Sequence, residues 1–324
     1  MSASRTGNRP RQGTVTRVAG LRQEQKGSGM YKSLSPSAIG VFARQSELLE
    51  IALTHRFKGL EIDINEVLRR AQSSSVAQAC RYLCSAQVRI GGFELPVRWA
   101  GDDKDFQADL SQLGLLLEVC RTLGADRCYT TIRPTCDQRP FHENFQLHVE
   151  RLGKVADALG RGNVKLALNF LAAPADRADG GFEFIHQVDP LVTLISTIGR
   201  ENVGILLDAW NWWVGGGDLD KVRALRGDQV LSVRLADIPA GADYSSITEE
   251  QRLMPGDGGT IDSAALLAAL DDLGYDGPVA LAPNPSMFKG QKRESIVSRA
   301  SATLDTLLGL APVAAEKPLA TTGQ

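Results

Sequence analysis

The sequence predicts a (β/α)8 TIM barrel, and three observations carry that reading. Short aliphatic runs of strand length alternate with longer amphipathic stretches eight times over about 280 residues, close to the usual size of about 250 for this fold. The runs are apolar without alternation, as in strands of a parallel sheet buried on both faces. Several then stop abruptly at a polar side chain, and in a barrel the C-terminal strand ends face the site. The sharpest case is Val203-Gly-Ile-Leu-Leu-Asp208, which runs straight into Ala-Trp-Asn-Trp-Trp. A doubly wound open sheet competes, but it needs a glycine fingerprint after an early strand, and Gly91-Gly92 alone does not supply one.

In chain order, the first strand falls at 31–35 and a helix follows at 46–55. Gly-Leu-Glu-Ile-Asp-Ile at 59–64 reads as the second strand, with a helix in the 74–85 region. Residues 87–90 begin the third, before a long helix at 105–123. The fourth is 127–132, ending at Arg133-Pro134 and followed by a helix at 141–159. The fifth is 164–169, then a helix at 189–198. The sixth is 203–208, with a short helix near 219–225, and the seventh is 230–237. A long connection then includes 240–259, rich in Gly and Asp with Pro239 and Pro255. Connections of this length in barrels are usually lids, so it is placed over the site. A helix at 262–273, the eighth strand at 279–282 and a helix at 294–308 complete the alternation.

Composition bounds the rest. The formal charge is only −2, so no global field recruits nucleic acid or an anionic membrane. That average hides a basic start: residues 1–29 hold Arg5, Arg9, Arg11, Arg17, Arg22 and Lys26 against Glu24 alone. This stretch has almost no apolar residues and is read as a disordered basic leader. The barrel is placed at 30–310 and a flexible tail at 311–324. The leader lacks the apolar region of a secretory signal. Five cysteines, odd in number and without a CxxC pair, fit a reduced cytoplasmic setting. No run approaches a membrane span. The oligomeric state stays open, a homo-oligomer included.

The polar residues at the predicted strand ends are Asp63 or Glu61, Arg133, Asn169, Asp208, Asn211, Arg234 and Asp237, with Arg252 and Asp257 on the lid. Amides and carboxylates suit sugar hydroxyls, and arginine pairs with phosphate or carboxylate in a fork. Trp99, Trp210, Trp212 and Trp213 offer apolar faces for a sugar ring, or else simply pack. The four histidines fall in or at the start of predicted helices, so neither a catalytic triad nor a His-rich metal centre is expected.

Four segments resemble the sugar phosphate isomerase/epimerase family of xylose isomerase-like TIM barrels. They are Asn202-Val-Gly-Ile-Leu-Leu-Asp-Ala-Trp210, Leu231-Ser-Val-Arg-Leu-Ala-Asp237-Ile-Pro-Ala-Gly241, Arg252-Leu-Met-Pro-Gly-Asp-Gly258 and Gly274-Tyr-Asp-Gly-Pro278. The likeness covers about residues 160–290 well and 31–160 loosely. It implies a divalent cation (Mn2+, Mg2+ or Zn2+) held by Glu, Asp, His and Glu, with the two glutamates moving the substrate proton. Position by position, this chain has Asn169, Asp208, Arg234 and Ala282 at those places, Asn211 for a further common His, and Asp257 for the lid Glu. Asp208, Asp237 and Arg252 keep the pattern. One carboxylate and neutral amides do not compete well with a cation's hydration shell. Neither Asn169 nor Ala282 exchanges a proton.

The expectation is therefore a metal-free site for a small sugar or sugar phosphate, with Arg234 standing in the cation's place and paired with Asp208. Asp208 or Asp237 would be the base and Arg234 the electrophile, with Asn169, Trp210, Asn211, Arg252, Asp257 and Arg133 binding substrate. A non-catalytic polyol-binding or partner subunit is the alternative. Repair of abasic DNA, which needs a multi-metal cluster, fits poorly.

Overall fold

The computed structural model describes residues 29–177 and 181–310. Apart from Gly29, the expected leader lies outside the described residues, as does the whole expected tail.

Eight parallel strands form the barrel: β1 Tyr31–Leu34, β2 Gly59–Glu61, β3 Arg89–Gly92, β4 Arg127–Ile132, β5 Lys165–Phe170, β6 Val203–Asp208, β7 Val230–Leu235 and β8 Pro278–Leu281. Their hydrogen-bonded order is β3-β2-β1-β8-β7-β6-β5-β4. The ring closes where Tyr129 N donates to Phe93 O at 2.9 Å and Leu95 N donates to Tyr129 O at 2.8 Å. Every expected strand is present, because each is a short apolar run that only a doubly covered sheet can bury.

The helices differ more from expectation. The first helix, α1 Gln45–Thr54, matches expectation; an unexpected helix, α2 Ile64–Ser73, then follows β2, and α3 Val76–Ser85 is the one expected in the 74–85 region. Asp63 starts α2 by accepting from the backbone N–H groups of Asn65 and Glu66. The long helix at 105–123 is broken at Gln112 into α4 Asp103–Ser111 and α5 Leu113–Leu123. A short antiparallel pairing of 135–136 with 182–183, missed in the sequence, sits at the barrel's C-terminal side.

The main core fills the space between strands and helices, and its members include Leu34, Leu60, Cys128, Leu168, Leu207, Val233 and Leu281. Inside the barrel a smaller cluster joins Ala167, Leu206 and Leu231, with Tyr129 against it. Below it Arg127 crosses the lumen and donates to Leu231 O at 2.8 Å. The lumen is tight near β1. A Cβ on Gly91 would lie 2.2 Å from Ser33 Oγ, and one on Gly59 would lie 2.7 Å from it. Glycine at these two positions is therefore a packing requirement. The result is a filled barrel with the strand C-terminal ends, where site chemistry sits in this fold, above this layer.

Candidate functional site

Two buried ion pairs organise the mouth. Glu61, the last residue of β2, receives Arg234 Nη2 at 3.0 Å, Ser35 Oγ at 2.6 Å and Tyr129 Oη at 3.1 Å, all on Oε2. The Arg234 guanidinium also lies over the Tyr129 ring, 4.5 Å from its centroid. On the far wall Arg252 donates through Nη2 to Asp208 Oδ2 and through Nε to Ala282 O at 3.0 Å. Its Nη1 reaches Glu249 Oε2 at 3.0 Å. The Trp210 ring lies 5.1 Å from the Arg252 guanidinium carbon.

The expected Arg234–Asp208 pair is therefore not the arrangement found. Residues 208 and 234 are register partners of β6 and β7, yet Arg234 reaches across the lumen to β2. The lid arginine takes Asp208 instead. Burial alone disfavours the charge on both guanidiniums. For Arg234 it is outweighed chiefly by Glu61, and for Arg252 chiefly by Asp208 and Glu249, so both stay firmly cationic. Burial and then the Glu61 charge push the Tyr129 hydroxyl well above its ordinary value, so it stays protonated.

Several expected site residues have other work. Asp237, fully buried, accepts from six backbone N–H groups, those of Ile238, Gly256, Gly258, Gly259, Thr260 and Ile261. Both oxygens are saturated by a loop, which leaves no lone pair oriented to act as a base. Asp257 pairs with Arg299 on the outer helix Arg293–Leu307 at 2.8 Å, away from the strand ends. Trp210 has no exposed face for a sugar, since it is 0% exposed and stacked under Arg252. Asn211 ties two strand ends together: its N–H donates to Asp208 Oδ1 at 3.1 Å and its Oδ1 accepts from Ala172 N at 3.2 Å. Arg133 is exposed at the rim beyond β4. Asn169 is buried in the mouth, and its Oδ1 has no protein partner.

Sequence reasoning left Glu61 undecided against Asp63 and passed over Tyr129 and Glu249. Alternation along β2 places Glu61 and Asp63 on the same face, so it does not separate them. Burial raises the Glu249 carboxyl, partly offset by Arg252, and raises that of Asp176 against the same arginine. Asp176 Oδ2, Arg234 Nε and Trp210 Nε1 join Asn169 Oδ1 as buried polar atoms without a protein partner. Such atoms are uncommon, and an unpartnered buried amide oxygen at a strand end suits a ligand that brings hydroxyls.

The donor set does not fit the divalent cation that the resemblance implies. Of the four positions, only Asp208 offers a carboxylate, and Arg252 holds it. Ala282 contributes only its backbone carbonyl, which already accepts from Arg252. Among the described residues no three His, Cys, Asp or Glu side chains group as metal ligands. A cation placed here would face two guanidiniums.

The chain resembles known proteins in sequence and in fold. It is 23% identical over 256 residues to the inosose isomerase of Bacillus velezensis, spanning 76% of this chain and 86% of that protein. A xylose isomerase domain protein from Alicyclobacillus acidocaldarius superposes with a TM-score of 0.77 at 23% identity, over 86% of this chain and 98% of that one. The IOLI protein, solved with a bound zinc atom, superposes at 0.72 with 19% identity over 86% and 98% of the two chains. A model of the xylose isomerase-like TIM barrel family matches residues 49–306, well over half the sequence. The chain belongs to the xylose isomerase-like TIM barrel family.

Proposed function

We propose that this barrel acts on a small polyhydroxylated substrate, a sugar or sugar phosphate, by isomerase- or epimerase-type proton transfer without a divalent cation. The inosose isomerase relative supports the substrate class. The observation that carries the reading is the one-sided solvation of Glu61. All three of its donors fall on Oε2, while Glu61 and Tyr129 both line a cavity of about 320 Å3. Oε1 is left free to take a proton from a carbon acid held there. Arg234 beside it would stabilise the oxyanion that develops as that proton leaves. Asp208, expected as the base, is instead tied between Arg252 and the Asn211 N–H, and its part is to hold the lid arginine in place.

Solvent deuterium incorporation across a panel of sugars, in EDTA, tests this. Exchange should persist in EDTA and fall by roughly 10²-fold or more in Glu61→Gln, the usual scale for losing a general base. Exchange that needs added Mn2+ or Mg2+, or that survives Glu61→Gln, would overturn it. The second reading, a non-catalytic polyol-binding subunit, is favoured by Asn169 and Ala282, which cannot exchange protons. Its signature is ligand-induced thermal stabilisation with no exchange on any sugar.

A further inference from the structure

We propose that the cavity beside the C-terminal end of β4 is an anion site, taking a phosphate or carboxylate group between Arg133 and Arg139. It deepens the reading above by naming where the charged end of a substrate rests. The cavity holds about 530 Å3, and three arginines line it. Arg98 is already committed, to Asp105 and to Asp109 at 2.8 Å. Arg133 and Arg139 differ: among the described residues neither has an ion pair or a hydrogen bond. One carboxylate, Asp137, lines the same cavity, so the uncommitted charge there is net positive. His148 also lines it, but burial lowers its imidazole to about 4, so it adds no charge near neutrality.

The cavity reaches the C-terminal end of β4. Thr131 lines it and lies two residues beyond Tyr129, on the same strand face. Thr131 is also the register partner of Asn169, whose buried Oδ1 has no protein partner. A ligand with hydroxyls at Asn169 would carry its charged end past Thr131 to the arginines. Planar guanidinium forks bind phosphate and carboxylate alike.

Isothermal titration of the full chain with inorganic phosphate and, separately, acetate tests the site and distinguishes the two anions. The wild type should bind at least one of them. Arg133→Gln and Arg139→Gln should each weaken that anion by about tenfold, the scale of one lost charge-assisted hydrogen bond. Arg98→Gln should leave the affinity within about twofold, because that side chain is engaged elsewhere. No binding of either anion, or unchanged affinity in the double variant Arg133→Gln/Arg139→Gln, would overturn the site. Neither readout involves turnover, so sugar exchange that persists beside failed anion binding removes this inference alone.

Discussion

Arg252, carried in by the lid, closes on Asp208 at the end of β6. Both side chains are almost wholly buried, at 9% and 4% exposed. A buried ion pair is weak support for stability, because desolvation offsets much of the attraction, but removing one partner strands the other. Asp208→Asn is therefore expected to cost about 3–5 kcal/mol by urea denaturation, well above an ordinary surface change. Asp208→Leu combined with Arg252→Met should recover much of that loss. A single variant within about 0.5 kcal/mol of wild type would show that the pair is not formed.

The second pair, Glu61–Arg234, sits on the other wall, with Tyr129 joined to it. A double-mutant cycle between Glu61→Gln and Tyr129→Phe should give a coupling of about 0.5–3 kcal/mol, since the two share a hydrogen bond and a buried charge. Values near zero would separate them.

Asp237 links the lid to pH. Burial would raise its carboxyl, but the converging backbone N–H groups prevail and hold it below the ordinary 3.8. A folded-state value below the unfolded one means that the stabilisation is complete above 3.8 and is lost as pH falls through the folded value. Limited proteolysis in the 254–261 loop should therefore appear only in acid, below about 3.8 for the wild type, and already near neutrality in Asp237→Ala. A loop equally resistant in the variant would contradict the anchoring role.

His148 works over a different window. It is buried between Trp99 and Phe184 and lowered by burial to about 4 from an ordinary 6.5. The unfolded chain takes up this proton first, so stability should decline as pH falls from 6.5 toward 4. The total is about 3 kcal/mol, at 1.36 kcal/mol per unit. His148→Phe should flatten that part of the profile in thermal melts. An unchanged slope would assign it to other groups.

The barrel was legible because its strands are unbroken apolar runs, and Val203–Asp208 shows both the burial and the stop at a polar end. The lid was legible from its length and its glycines. Which cation meets which carboxylate was not. Residues 208 and 234 are neighbours by register, and charge logic alone pairs them. The closure of the ring, however, brings Glu61 across the lumen to Arg234, and the lid delivers Arg252 to Asp208. Asp237 misled for a related reason. A strand-end carboxylate reads the same in sequence whether it faces substrate or gathers loop N–H groups, and only the path of residues 256–261 separates the two. Trp210 reads in sequence as a sugar platform, whereas in the structure the Arg252 guanidinium lies over its ring.

The proposed function depends on Arg234 and Arg252 occupying the mouth in place of a divalent cation. Metal analysis of protein equilibrated with Mn2+, Mg2+ and Zn2+, then dialysed, tests this most directly when paired with melting in EDTA. The expected result is far less than one equivalent of any ion and a melting temperature unmoved by EDTA. One tightly held equivalent, lost in Asp208→Asn and accompanied by destabilisation in EDTA, would contradict it.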